Sequence, residues 1–185
     1  DVKTVEFTPA QYLGLREALK TVEFDRKKEP VFASAAEQRN DSEVIDSSVE
    51  VAVKSPNAWT YTSKVKRKIL SYAGTKKFSE IKSSYNPIWE NVTIKAKVTN
   101  PDGSVKTLGE KELNTMDAGW VASAPRYPAE KVLVASLPGV IPGSVVESET
   151  VVERKDAPMF AVSEGFQFGE PMDARSVTIR LPDSL

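Results

Sequence analysis

Apolar and polar side chains alternate over long stretches of this chain, and this alternation restricts its fold more than any other feature. In the clearest stretch, residues 90–100, Val92, Ile94, Ala96 and Val98 alternate with polar residues. Successive side chains of a β-strand point to opposite faces of a sheet, so a period of two indicates a strand with one buried and one solvated face. We therefore expect sheets with one apolar and one charged surface.

Similar short stretches recur along most of the chain, separated by proline, glycine and asparagine residues that are typical of turns. They are residues 49–53, 59–69, 90–100, 104–108, 131–137, 144–153, 160–162, 166–168 and 176–181. Within residues 59–69, the odd-numbered residues from Trp59 to Ile69 form one face, and Lys64, Lys66 and Lys68 lie on the other. Many short strands with little helix between them predict a mainly β fold, an antiparallel β-sandwich.

One α-helix is predicted, at the N-terminal end of the chain. Thr8 is in the N-cap position, Pro9 follows at the first helical position, and Gln11 can complete a capping box. Apolar residues recur at helical spacing up to about residue 22, and the charged stretch 25–48 is expected to be a loop. The predicted organisation is an N-terminal helix and polar linker over residues 1–48, packed on a β-sandwich domain over residues 49–185.

The 185 residues include no histidine and no cysteine. Their absence excludes Ser-His-Asp and Cys-His catalytic triads, the usual zinc sites, haem ligation by these residues, and disulfides. We therefore expect no enzymatic activity, no catalytic residues, no metal site and no cofactor.

The charge of the chain is nearly balanced, with 25 basic and 26 acidic residues and a net charge of −1. Nucleic-acid-binding proteins usually carry a basic excess, so we expect no nucleic-acid partner. No apolar run is long enough to predict a membrane span. The chain starts at Asp1 without a recognisable signal peptide, which we interpret as the result of processing.

Aromatic residues supply the main candidates for binding a ligand or partner. The candidates are Trp59, Tyr61, Tyr85, Trp89, Trp120, Arg126 and Tyr127. Exposed aromatic rings stack on sugars or anchor a protein partner, and loops such as those of Trp120 and Tyr127 often carry function. The alternative is that these rings close the ends of a sandwich as part of its core.

Two sets of charged residues leave alternatives open. Glu147 and Glu149 lie two residues apart on one predicted strand, where paired carboxylates could hydrolyse glycosides or simply pair with lysines across strands. The lysines of residues 59–69, together with Lys95 and Lys97, could form a basic strip for an acidic partner. They could equally form a solvated face that discourages edge-to-edge aggregation.

Four stretches, taken in order, resemble a known family. They read YAG (72–74), YNPIW (85–89), IKAKVTNPDG (94–103) and LPGVIPGSVVE (137–147), and Arg126 with Tyr127 also fits. Their order and spacing resemble the bacterial domain of unknown function numbered 3857, over roughly residues 49–181. That family typically lies in exported proteins, just ahead of a transglutaminase-like domain.

The resemblance implies a non-catalytic accessory domain that docks on, or presents substrate to, a transglutaminase-like or protease-like domain. It further implies a periplasmic or extracellular location. Two alternatives are a carbohydrate-binding module that uses loop aromatics and a carboxylate-based hydrolase. Besides the neighbouring domain, the candidate ligands are a glycan and a peptide. A flat exposed row of aromatic rings would favour sugar binding, an apolar patch near the C-terminal strand would favour docking, and two close buried carboxylates would favour an enzyme.

Overall fold

The computed structural model describes residues 40–123, 130–166 and 169–182, and these contain nine strands. Seven of them fall on predicted alternating stretches, whereas Glu80–Tyr85 and Leu113–Asp117 were not predicted as strands. The strands are β1 (Ser42–Ser55), β2 (Ala58–Ile69), β3 (Glu80–Tyr85), β4 (Glu90–Thr99), β5 (Val105–Thr107), β6 (Leu113–Asp117), β7 (Lys131–Ser136), β8 (Val145–Arg154) and β9 (Arg175–Arg180). The prediction of a mainly β chain is therefore confirmed.

The strands form two sheets. The larger sheet has the order β5-β4-β8-β2-β1-β9, and the smaller has the order β3-β7-β6. Neighbouring strands are antiparallel with one exception, since β9 runs parallel to β1. The parallel pair arises because the chain returns along the sheet after β8, so β9 starts beside Ser47 and runs in the direction of β1.

The two faces of the six-stranded sheet differ as the alternation predicts. We call the face that carries Trp59 and Ile69 the inner face, and both residues are buried. The opposite, outer face carries Lys64 and Lys66, which pair with glutamates of β8 across the strands. Because burying one aliphatic side chain contributes roughly 1.5–3 kcal/mol, the inner face provides most of the stabilisation.

Two hydrophobic clusters cover the inner face. The first joins both sheets and consists of Ile69, Ala96, Val98, Leu137, Val140 and Val146, with Phe78, Ile81 and Leu108 at its border. The second consists of Val49, Val51, Val53, Trp59 and Ala157, with Tyr61, Phe160, Val162 and Val177 at its border. No strand of the smaller sheet contributes to the second cluster, which irregular backbone covers instead.

The covering segment consists of residues 155–166 and 169–174, and we call it the strap. It begins where the Ala157 N–H donates to the Asn57 carbonyl (3.0 Å), and near its other end the Val44 N–H donates to the Pro171 carbonyl (2.8 Å). The predicted strand at 160–162 is wrong, because Phe160 and Val162 face the second cluster from irregular backbone. In the predicted strand at 166–168, the described residue Phe166 lies in a bend, and the others lie outside the described residues.

The helix and loop predictions fared differently. The predicted N-terminal helix lies outside the described residues, so its packing on the sheets stays a prediction. The predicted loop at 25–48 is wrong over residues 42–48, which belong to β1.

The pattern did not predict the helix α1 (Tyr72–Lys77), which follows β2. Ser71 caps this helix, because its side chain accepts a hydrogen bond from the Gly74 N–H at 2.9 Å. A Cβ atom at position 74 would overlap the Asp41 carbonyl oxygen, so this position requires glycine.

Candidate functional site

The two predicted aromatic residues of β2 lie on the inner face, away from solvent. Trp59 is 3% exposed, and its ring meets that of Phe160 edge to face, with 5.1 Å between ring centres. Tyr61 is half-buried at the border of the same cluster. Trp59 is therefore part of the core, and Tyr61 is not a surface residue of an exposed aromatic row.

The other predicted aromatic residues are scattered. Tyr85 and Trp89 are half-buried at the end of β3 and in the turn before β4. Trp120 is 45% exposed, and its indole N–H donates to Glu130 at 2.7 Å. Arg126 and Tyr127 lie outside the described residues. The described candidates therefore do not form the flat exposed row that sugar binding requires.

The paired carboxylates of β8 lie on the outer face, each beside lysines. Glu147 contacts Lys97 at 3.0 Å and Lys66 at 3.5 Å, and Glu149 contacts Lys64 at 3.1 Å. The hydrogen bond from Lys97 lowers the pKa of the Glu147 carboxyl below its usual value. A general acid needs the opposite shift, so this pair has the environment of cross-strand ion pairs rather than of a hydrolase.

Two adjacent pockets lie on the inner face, one bordered by β3 and the other by β3 and the strap. The first part, about 320 Å³, is bordered by Glu80, Ile81 and Lys82 of β3. Its remaining lining is both polar and apolar: Ser63, Val65, Arg67, Phe78, Leu137, Val146, Ser148 and Thr150. The second part, about 300 Å³, is lined by Tyr61, Ser83, Ser84, Arg154 and strap residues 161–164. We call the two parts together the inner cleft.

An arginine lies at the first end of the inner cleft. The guanidinium of Arg67 stacks on Phe78, 3.9 Å from the ring centre, and donates to Glu170 of the strap at 3.3 Å. Lys77 also donates to Glu170, at 3.2 Å. Burial lowers the pKa of Arg67, and Glu170 opposes that shift. Together these contacts fix the guanidinium in one orientation.

A second buried network lies at the other end of the inner cleft. The Tyr61 hydroxyl donates to Glu164 of the strap at 2.6 Å, and Glu164 also accepts from Arg175 of β9. Burial, and secondly the bond to Glu164, raises the pKa of Tyr61 to about 12. The phenol therefore stays protonated at neutral pH and acts as a hydrogen-bond donor.

Of the residues that line this cleft, the sequence analysis selected Tyr61 and missed the others. A usable signal was present in β2, where Ser63 and Arg67 interrupt an otherwise apolar face, since polar residues at core positions often mark a site. The sequence around Glu164 and Glu170 carried no signal of their role. Tyr61 and Arg67, the β2 residues that they bind, each lie 103 residues away in the chain.

A small apolar surface lies at the last strand. Ile179 pairs in register with Val51 on the inner face, yet its side chain is 52% exposed, and Leu181 just beyond the strand is 61% exposed. We call Ile179 and Leu181 the β9 patch. Because β9 is at the edge of its sheet, one of its backbone edges is unpaired among the described strands.

The described residues contain no cluster of three or more acidic residues that could hold a metal ion. They also include no helix of the length and hydrophobicity needed to cross a membrane.

The fold resembles that of a longer protein. A protein of Parabacteroides distasonis, provisionally described as a protease, matches with a TM-score of 0.72 and 18% identity, over 78% of this chain and 29% of that one. The CBM3a-L domain of the Clostridium thermocellum scaffoldin cipA matches with a TM-score of 0.36 and 13% identity, over 71% of this chain and 78% of that one. A Deinococcus radiodurans M1 zinc metallopeptidase gives 0.31 and 13%, over 64% and 21%. The last two TM-scores are too low to support any argument.

Sequence comparison confirms the resemblance that the four stretches carry. No curated protein matches the chain at a significant level. A family profile matches residues 55–185, from the end of β1 through β9, and so includes both edges of the inner cleft and the β9 patch. The chain therefore belongs to DUF3857, the family described as a domain of unknown function with a solved structure.

Proposed function

We propose that this domain is a non-catalytic accessory module that docks on a neighbouring protein domain through the β9 patch. The observation that carries the proposal is the exposure of Ile179 and Leu181, at 52% and 61%, on an edge strand. Exposed apolar groups at an edge bind well where another surface covers them and also offer free backbone groups for pairing.

The residue chemistry supports a non-catalytic role. The chain has no histidine or cysteine, and the carboxylates of Glu147 and Glu149 both contact lysines. Glu164 and Glu170 lie half-buried nearer the cleft, and each is paired with an arginine.

The proposed partner is a transglutaminase-like or protease-like domain, in the same polypeptide or in a separate one. The family resemblance is one support. The other is that this chain corresponds to 29% of the Parabacteroides distasonis protein, so the similar fold occurs there within a longer protein. The family context also supports an exported, periplasmic or extracellular location.

A carbohydrate-binding role has less support. It requires stacking surfaces, and of the described candidates only Trp120 has a largely exposed ring, whose indole N–H is already bonded to Glu130. Single exposed aromatic residues are common on protein surfaces.

The test is to make the β9 patch charged. The variant combines Ile179→Lys with Leu181→Lys, and the control combines Ile88→Lys with Val105→Lys, which are 72% and 59% exposed outside the patch. Binding to the isolated transglutaminase-like domain of a family member is measured by titration calorimetry. Since two buried aliphatic side chains contribute roughly 3 kcal/mol, we expect about 100-fold weaker binding for the patch variant and little change for the control.

Equal affinities of the patch variant and the control would show that docking, if present, uses another surface. Failure of the wild-type protein to bind would contradict the proposal directly. Hydrolysis of any glycoside or peptide by the purified protein would contradict its non-catalytic part.

A further inference from the structure

β3 forms one side of the inner cleft and is an edge strand of the smaller sheet. In the described structure it pairs with β7 on one side and with no strand on the other. The Leu137 N–H donates to the Ser79 carbonyl at 2.7 Å, which sets the alternation of backbone bonds along this ladder. The backbone groups of Ile81, Ser83 and Tyr85 are therefore directed toward β7, and those of Glu80, Lys82 and Ser84 toward the open side.

The open side of β3 faces the inner cleft. Glu80, Ile81 and Lys82 border its first part, and Ser83 and Ser84 border its second part. The β2 residues of the lining follow the same direction, from Arg67 and Ser63 to Tyr61. The two parts thus lie end to end along six residues of strand, a length of about 20 Å at roughly 3.3 Å per residue.

The other walls of the cleft offer both hydroxyl groups and apolar surface. In the first part, Ser63, Ser148 and Thr150 lie beside Val65 and Val146. In the second part, strap residues 161–164 line the cleft along with Ser83 and Ser84. Such a mixed surface beside unpaired backbone groups is suited to an extended chain, whose own N–H and C=O groups would complete the ladder.

We propose that the inner cleft binds an extended peptide segment, which adds to β3 as a fourth strand of the smaller sheet. The outward backbone groups of Glu80, Lys82 and Ser84 would supply the hydrogen bonds. The short lining residues would accept small or β-branched side chains. This site is separate from the β9 patch and does not depend on the docking proposal.

The Glu80–Lys82 ion pair, 2.8 Å long, fits a competing explanation in which charges protect an open edge from aggregation. The two explanations differ in outcome, because a protected edge would bind no peptide at all. The backbone direction at β3 allows a variant that tests this difference without removing any hydrogen bond to β7.

That variant is Lys82→Pro, which removes one outward N–H and blocks strand addition while the ladder to β7 remains intact. Its matched control is Thr115→Pro on β6, at the opposite edge of the same sheet. The Ala118 N–H donates to the Glu130 carbonyl at 3.1 Å, so by the same alternation the Thr115 N–H is directed outward.

The probe is a phage-displayed library of random linear heptapeptides, panned on the wild-type protein. The most enriched peptide is then resynthesised with a fluorescent label, and its dissociation constant is measured by anisotropy. We expect at least a tenfold loss of affinity for Lys82→Pro, and unchanged affinity for Thr115→Pro and for the charged β9-patch variant.

Hydrogen exchange on the wild-type protein provides a measurement that does not depend on how the variants fold. The bound heptapeptide should slow exchange at the amides of Lys82 and Ser84, and not at that of Thr115. Failure to enrich any peptide, full binding by Lys82→Pro, or unchanged exchange at Lys82 and Ser84 would each overturn the proposal.

Discussion

The two faces of the six-stranded sheet carry similar ion pairs in different surroundings. On the outer face, Glu147 lies between Lys66 and Lys97, and all three side chains are in contact with solvent. On the inner face, Arg175 and Glu164 retain only 7% and 15% of their side-chain exposure. Both pairs consist of a carboxylate beside a cation. A difference in their contribution to the free energy of unfolding must therefore come from solvation.

Solvent weakens the outer pairs, because water and salt screen the attraction and the long side chains lose entropy when they pair. Such pairs contribute about 0–1 kcal/mol each. Removing one partner of a buried pair costs roughly 3–5 kcal/mol, since the remaining charge has lost its hydration. The inner pairs therefore hold the strap on the sheet, whereas the outer pairs mainly keep that face soluble.

The largest effect is expected at the centre of the inner network. Glu164→Ala removes the acceptor of both Tyr61 and Arg175 and detaches this part of the strap. We expect a loss of roughly 3 kcal/mol in the free energy of unfolding, measured by urea denaturation. Glu149→Ala on the outer face is the control; a loss of similar size there would remove the distinction between the faces.

A smaller loss of stability is expected at Glu170, where the strap contacts one partly exposed and one exposed cation. Glu170→Gln weakens the contacts with Arg67 and Lys77, and Lys77 is 57% exposed. Water can hydrate the Lys77 ammonium once Glu170 is neutral, and stacking on Phe78 still holds Arg67. We therefore expect the free energy of unfolding to fall by about 1–2 kcal/mol. Chemical denaturation measures it, and a loss larger than that of Glu164→Ala would reverse the proposed order of burial.

Features set by neighbouring residues could be predicted from the sequence, whereas contacts between distant parts of the chain could not. Bounds of β2, β4 and β8 agree with the alternating pattern to within a residue, because a period of two is a local property. The faces of β2 follow from the same pattern. The strap could not be predicted, because Phe160 and Val162 have strand-like spacing while their partners lie far away in the chain.

The candidate site was predictable only in part. Tyr61, a predicted candidate, does line the inner cleft. Ser63 and Arg67 line it too, but they were not selected, although polar residues on an otherwise apolar face are a usable signal. Glu164 and Glu170 carried no local signal, since a glutamate in a polar loop looks the same whether its partner is water or a buried arginine. Trp59 was selected as a ligand contact because of its residue type, but burial decides its role, and it belongs to the core.

The alkaline limit of stability tests the inner network by titration. The pKa of Tyr61 is raised from 10.0 to about 12 in the folded protein, so the folded state retains a proton that the unfolded chain loses. Its contribution to stability is complete below pH 10 and is lost as the pH rises from 10 to 12. Urea denaturation across this range should show a decline that Tyr61→Phe removes. An equal decline in that variant would assign the effect to other groups.

The smallest effect is expected on the outer face, and here the sign of the pH dependence is opposite. The pKa of Glu147 is lowered in the folded state, mainly by the Lys97 hydrogen bond, so its contribution is present above the ordinary pKa of 4.5 and is lost as the pH falls below it. We expect Glu147→Gln to lower the free energy of unfolding by less than about 1 kcal/mol at neutral pH, because the pair is exposed.

Salt separates the two faces further. About 1 M salt should abolish the stability difference between Glu147→Gln and the wild-type protein, because the screening length falls to roughly 3 Å. The cost of Glu164→Ala should persist in the same salt, because the Arg175 and Glu164 side chains are only 7% and 15% exposed and ions screen such a pair much less. If both costs fell together, the two faces would share one electrostatic environment, and the strap would be held by its apolar contacts and backbone hydrogen bonds without help from the ion pair.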